Sequence, residues 1–256
     1  MGGRHLEAWM DGVALSSVGA IILSEFYDDA PTLEITAAPI PGRYGQRMTA
    51  RNRTELTVSL AVYVRNLHDL PTRTRTVEAL AKWASGSILE VNSRPGRRLH
   101  VTGTSIPAVG ATRNYAQEIR MEFTAYEIPY WEDVMEAQGS ATGTTDDITL
   151  FVDGTAPDTP LLVTVTPSAA ALTSCTLAIA GGDAIALTGI NIAAGSSLVI
   201  GVDEADRMKA MSGTTSLLRY RTGADALRVK CGQTSTLSFE TNTSCAVTVA
   251  ARGRWL

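Results

Sequence analysis

Lysine and cysteine are scarce in this chain of 256 residues, which has three of each beside 19 arginines. Cys175, Cys231 and Cys245 all fall in the second half, far apart and inside strand-like stretches. An odd count at such spacing excludes a disulfide framework and fits buried small hydrophobes in a reducing compartment. His5, His68 and His100 are scattered and no CxxC occurs, so no metal site is expected. No run of 18 apolar residues exists, which argues against a membrane span. Met1–Met10 is polar, and Val13–Leu23 is broken by Ser16, Ser17 and Gly19, so no signal peptide is expected. The GxSxG, HExxH, P-loop and GxGxxG patterns are all missing. Asp203-Glu204-Ala205-Asp206 reads as a solvated turn, because a calcium loop needs six or more placed oxygens. The expectation is a chain that is not an enzyme, with no catalytic residue and no cofactor.

What is present is an ordinary globular mixture, 45% apolar and 19% charged, with a net charge of −4. Divided at Glu136, the first part holds 14 basic and 16 acidic residues and the second 8 and 10. Neither has the excess of cations that marks a nucleic-acid-binding domain. Leu56–Val64 alternates apolar and polar residues over nine positions, as does Gln117–Tyr126, and both predict strands with one face on a core. Thr32–Ala38 predicts another strand, with Leu33 and Ile35 on one face, and the polar stretch from Gly42 to Glu55 reads as a long loop. Between Leu70-Pro71-Thr72 and Ser85-Gly86, Val77, Leu80, Ala81 and Ala84 recur at helical spacing. One helix among strands points to a β-sandwich or barrel with a packed helix.

Past the aromatic and acidic corner Tyr130-Trp131-Glu132-Asp133, residues 137–147 carry no large apolar side chain and read as a linker. Charge then thins out. Short strands follow at close spacing, including Ile148–Val152, Leu217–Arg221, Thr236–Glu240 and Cys245–Ala251, with turn signals such as Gly181-Gly182 and Gly223 between them. The expected organisation is therefore mainly β. Residues 1–136 form a domain with one α-helix, 137–147 a linker, and 148–256 a β-sandwich of eight or nine strands in the jelly-roll range, able to fold alone.

Arg43, Arg47, Arg51 and Arg53 share the long polar loop. Arginine pairs bidentately with carboxylates and suits protein interfaces. A solvated loop and a subunit contact stand level as readings. Contact with DNA ranks behind them, since no interleaved aromatics accompany the arginines.

The order of these features resembles siphophage distal tail proteins. Asp11-Gly12 comes first, then Ile40-Pro41-Gly42-Arg43-Tyr44-Gly45, an alternating strand, a helix ending near Trp83, and a strand running into Pro129-Tyr130-Trp131. In the second half come Asp153-Gly154-Thr155-Ala156-Pro157, Leu198–Asp203, and a last strand ending in Arg252-Gly253-Arg254-Trp255. The resemblance implies a tail-tube-like N-terminal domain that forms a hexameric ring around the DNA channel, and a galectin-like C-terminal sandwich. It implies as partners the tail tube protein, a tail-tip or tail-associated protein and receptor-binding or side-fibre proteins, with DNA passing unbound and no membrane insertion. Its place would be the virion tail, after assembly in the host cytoplasm. The rival readings are a carbohydrate-binding module protein using the sandwich, a tail-associated hydrolase and a tube subunit. Large aromatics after Trp131 are only Phe151, Tyr220, Phe239 and Trp255, which is sparse for sugar binding.

Overall fold

Wherever the apolar alternation is strict, the chain is strand. A computed structural model describes residues 5–19, 21–41, 44, 46–64, 70–105, 117–203 and 207–256, with the side chains of residues 51, 52, 70, 73 and 117 outside the description. The fold is mainly β, and the chain divides into unit 1, Met1–Trp131 with Leu256, and unit 2, Glu132–Trp255. No helix among the described residues is long and apolar enough to cross a membrane.

Unit 1 runs β1 (Ala8–Met10), β2 (Val13–Ala14), β3 (Ile21–Asp28), β4 (Leu33–Pro39), β5 (Gln46–Arg53), β6 (Leu56–Val64), α1 (Leu70–Trp83), β7 (Ile88–Val91), β8 (Arg97–His100), β9 (Thr102–Ser105) and β10 (Gln117–Ala125). One sheet has the order β3-β6-β10-β9, a second β2-β1-β7-β8, and β4 pairs with β5 alone. Leu56, Val58, Leu60, Val62 and Val64 are all buried, as the alternation requires. Asp11 (φ 50°) and Gly12 (φ 78°) form the two-residue turn between β1 and β2, where Met10 faces Val13. The Asp11 carboxylate accepts the Ile88 N–H at 2.9 Å and ties that turn to β7.

The helix buries Val77, Leu80 and Trp83, and Ala84 just past its end is buried too. The Trp83 indole meets Phe123 of β10 edge-on, with ring centroids 6.4 Å apart, and its N–H donates to the Val13 carbonyl at 2.7 Å. The helix is therefore fastened to both sheets of unit 1.

Unit 2 runs β11 (Trp131–Val152), β12 (Thr159–Pro160), β13 (Leu162–Pro167), β14 (Leu172–Ile179), β15 (Ala184–Ile192), β16 (Leu198–Val202), β17 (Met208–Ser212), β18 (Thr215–Ser216), β19 (Arg221–Gly223), β20 (Arg228–Val229) and β21 (Gln233–Trp255). The expected strands Thr236–Glu240 and Cys245–Ala251 are one strand of 23 residues, β21, in which every second residue from Leu237 to Gly253 is buried. Its first half pairs with β14, placing Leu177 opposite Phe239, and its second half with β13, placing Val165 opposite Val247. One strand thus serves two layers, β21-β14-β15-β19 and β21-β13-β16-β17-β18. They enclose a core that includes Leu172, Cys175, Leu187, Ile200, Phe239 and Val247. The expected strand Leu217–Arg221 is instead a 3-10 turn over Leu218–Tyr220 leading into β19.

Residues 137–147, expected as a linker, lie inside β11. That strand runs antiparallel beside β21. The Gly232 N–H donates to Val152 O at 2.8 Å, the Thr241 hydroxyl to Thr144 O at 3.2 Å, and the Arg252 guanidinium to Asp133 O at 3.0 Å. In a straight strand, Gly139 and Ile148 would be about 30 Å apart. A Cβ at Gly139 would instead lie 2.7 Å from Ile148 Cγ2. The strand therefore folds over the sandwich until its halves face each other. Ala137 and Ala141 pack against the core on either side of Gly139. The small residues that suggested a linker are the ones that permit this approach.

Candidate interface arm

Strands β3 and β6 pair from Ile21 opposite Val64 to Asp28 opposite Val58, and β4 and β5 continue the same ribbon from Leu33 opposite Arg53 to Pro39 opposite Gln46. Between them the Thr32 N–H donates to Glu55 O at 2.7 Å and the Thr54 N–H to Thr32 O at 3.1 Å, so the pairing carries across the join. The stretch Gly42–Glu55 was expected to be a loop. Its residues 46–53 are strand β5, the returning side of a two-stranded arm. The alternation test missed it because that test detects a core-facing stripe, and the described side chains of β5 are all exposed or half-buried. Pro41-Gly42 directly after an apolar run was the available hairpin signal.

Three of the four candidate arginines, Arg47, Arg51 and Arg53, lie on strand β5 of the arm. Arg47 is exposed opposite Ala38, Arg53 is half-buried opposite Leu33, and the Arg51 backbone faces Ile35. Arg43 lies outside the described residues. Cross-strand partners share a face. Leu33, Ile35, Ala37 and Pro39 therefore line one side of the arm with Arg53, Met48 and Gln46. Arg47 lies on the other side with Ala38 and Glu34. A bulge between Thr36 and Ala37 re-aims the outer part of the arm. Leu33, Ile35 and Met48 are 37%, 55% and 56% exposed.

At the base of this ribbon, in unit 1, lies a cluster that the sequence pattern did not single out. Trp131 is fully buried, meets Phe26 edge-on at 6.2 Å and donates its indole N–H to Asp28 at 3.3 Å. Arg94 forms an ion pair with Asp28 and places its guanidinium 5.3 Å above the Trp131 ring.

In unit 2, Arg254 and Glu132 form a buried ion pair at 3.1 Å, with Arg252–Glu136 at 2.7 Å beside it. The Trp255 indole N–H donates to Asp133 at 2.8 Å. These contacts bind the start of β11 to the end of β21. The turn at Asp203 is closed by Arg207, whose backbone N–H and Nε both donate to the Asp203 carboxylate, at 2.9 and 3.0 Å. Residues 204–206 of that motif lie outside the described residues. Burial pushes the Cys175 thiol up to about 12, with Cys245 adding to the shift. Burial likewise raises Cys231 and Cys245, and all three are free thiols. A hollow of about 320 Å³ in unit 2 is lined by Gln138, Ser140, Leu162, Thr164 and Thr248, without a carboxylate or an aromatic ring. Another in unit 1, about 410 Å³, has a single carboxylate, Glu90, beside Trp9, Asn92, Arg94 and Arg97. Neither offers the paired carboxylates of glycoside hydrolysis. Among the described residues no group of three or more His, Cys, Asp or Glu is placed to hold a metal.

Two β-rich units in this order, the first carrying a helix, make a fold that the chain shares with solved phage distal tail and baseplate proteins, as the ordered motifs suggested. The crystal structure of the SPP1 Dit protein, described as a paradigm of the hub adsorption apparatus in phages that infect Gram-positive bacteria, matches over 97% of this chain and 99% of its own, with a TM-score of 0.70 at 12% identity. A chain of the phage P2 baseplate in its activated conformation with Ca matches over 97% of both chains, with a TM-score of 0.53 at 10% identity. The same baseplate with Sr gives 0.52 at 9% identity over 98% of both. No protein-family model and no curated protein matches the sequence.

Proposed function

We propose that this chain is a structural subunit of the tip of a long non-contractile phage tail. In this reading six copies form a ring that joins the tail tube to the tip or baseplate. Unit 1 builds the ring around a channel through which DNA passes unbound. Unit 2 offers a surface to tail-associated, receptor-binding or side-fibre proteins. The subunit assembles in the host cytoplasm and resides in the virion tail. The subunit contact in this reading includes Arg43, Arg47, Arg51 and Arg53, of which Arg47, Arg51 and Arg53 lie on strand β5.

The observation that carries the reading is the extent of the fold match. It spans both units and nearly the full length of a protein described as a hub. The arm supports it independently. A two-stranded ribbon by itself is marginal in water, and here it displays large apolar residues on one face. A cyclic ring needs such a patch, since each subunit meets its neighbour through two different surfaces. The mass of the purified protein in solution tests the proposal. Six copies are expected, and a monomer at every concentration would rule it out.

A further inference from the structure

We propose that the hollow of about 410 Å³ in unit 1 is a binding site for a neutral saccharide, with Trp9 as its platform and Glu90 and Arg97 as its polar partners. The site is independent of the ring reading and lies in unit 1, not in the sandwich of unit 2. Trp9 of β1 stands opposite Glu90 of β7, so the two side chains share a face of the sheet β2-β1-β7-β8. That face looks away from the core, since the alternate residues Ala8, Met10 and Leu89 are buried. Trp9 and Glu90 are only half-buried, and among the described residues neither the indole N–H nor the carboxylate has a hydrogen-bond partner. Two other lining residues are already fixed. Asn92 accepts the Glu7 N–H at 3.0 Å and donates to His5 O at 2.6 Å. Arg94 is held by its ion pair with Asp28 and by the Trp131 ring. A preformed wall lowers the cost of ordering on binding.

The mixture of charges selects the ligand. An indole beside a carboxylate suits a cation, but the guanidinium groups of Arg94 and Arg97 line the same hollow and oppose one. A polyanion meets the Glu90 carboxylate. A neutral pyranose meets neither obstacle. Its C–H face packs on the indole, its hydroxyls donate to Glu90, and its oxygens accept from Arg97, whose guanidinium has several N–H donors. The volume falls within the roughly 300–1,000 Å³ of small-molecule sites. A protein partner would need a wider apolar patch than one indole.

Saturation-transfer NMR on the full chain tests the site, with maltotriose, cellotriose and triacetylchitotriose as neutral probes and trilysine and trigalacturonate as charged ones. The variants are E90Q, W9A, W9F and, as a control in the hollow of unit 2, T164V, each checked by circular dichroism. The expected result is saturation of the ring protons of at least one neutral probe. E90Q should weaken that binding roughly tenfold, through loss of a charged acceptor. W9A should weaken it as much, while W9F stays within about twofold of the wild type. T164V should bind as the wild type does. Silence from all the neutral probes overturns the proposal, as does binding confined to a charged probe. So does a signal that E90Q leaves at full strength, or one that T164V abolishes, which would move the saccharide to unit 2. The Glu90→Gln change is isosteric, so it remains decisive if W9A fails to fold.

Discussion

Gly139 decides whether unit 2 can close. The close approach of Ile148 leaves no room for a Cβ at this position, and the Thr149 carbonyl lies 3.6 Å away on the same side. Gly139→Val should cost about 1–3 kcal/mol through overpacking, read as a lower urea midpoint for unit 2. An unchanged midpoint would mean the two halves of β11 do not pack as described. Cys175 gives unit 2 a dependence on pH. Its thiol stays protonated in the folded chain up to about 12, whereas in the unfolded chain it ionises near its ordinary 9.0. Above that ordinary value the unfolded state sheds a proton that the folded state keeps, so alkali favours unfolding. The contribution is fully present below 9.0 and is lost as pH climbs toward 12. Cys175→Ala should flatten the decline of the melting temperature across that window, and a decline as steep as wild type would show that Cys175 is not its source.

Among elements, those that divide core from water were the legible ones. Strands β6 and β10 and helix α1 each put one face inward, and apolar periodicity detects that asymmetry directly. The elements misread are those without it. Strand β5 has no buried residue among its described side chains, so its arginines looked like loop residues. The inward residues of β11 at 137–141 are alanine and glycine, chosen by close packing, and their composition is that of a linker. The Arg94–Asp28–Trp131 cluster joins residues distant in sequence, and no local pattern announces it. This revises the fragment that should stand alone. Residues 132–256 keep β11 beside β21 and retain Glu132 with Arg254, whereas 148–256 strip a neighbour from β21 and take from the buried Arg254 its carboxylate partner. The longer fragment should give a β-type circular-dichroism spectrum and a cooperative melt, and the shorter one a lower or absent melt. Equal melts would restore residue 148 as the boundary.

At the scale of the whole molecule, the chain leaves unit 1 at Trp131 and rejoins it at Leu256. Unit 2 is thus entered and left at neighbouring points, where Glu132 meets Arg254 and Asp133 meets Trp255. This geometry settles how unit 2 responds to force. Tension applied between its two ends acts on the open mouth of the β11–β21 ribbon and loads its cross-strand bonds one after another, as a zipper is drawn, rather than all together in shear. The buried Arg254–Glu132 pair and the Trp255–Asp133 hydrogen bond sit together at that mouth, where the load arrives first.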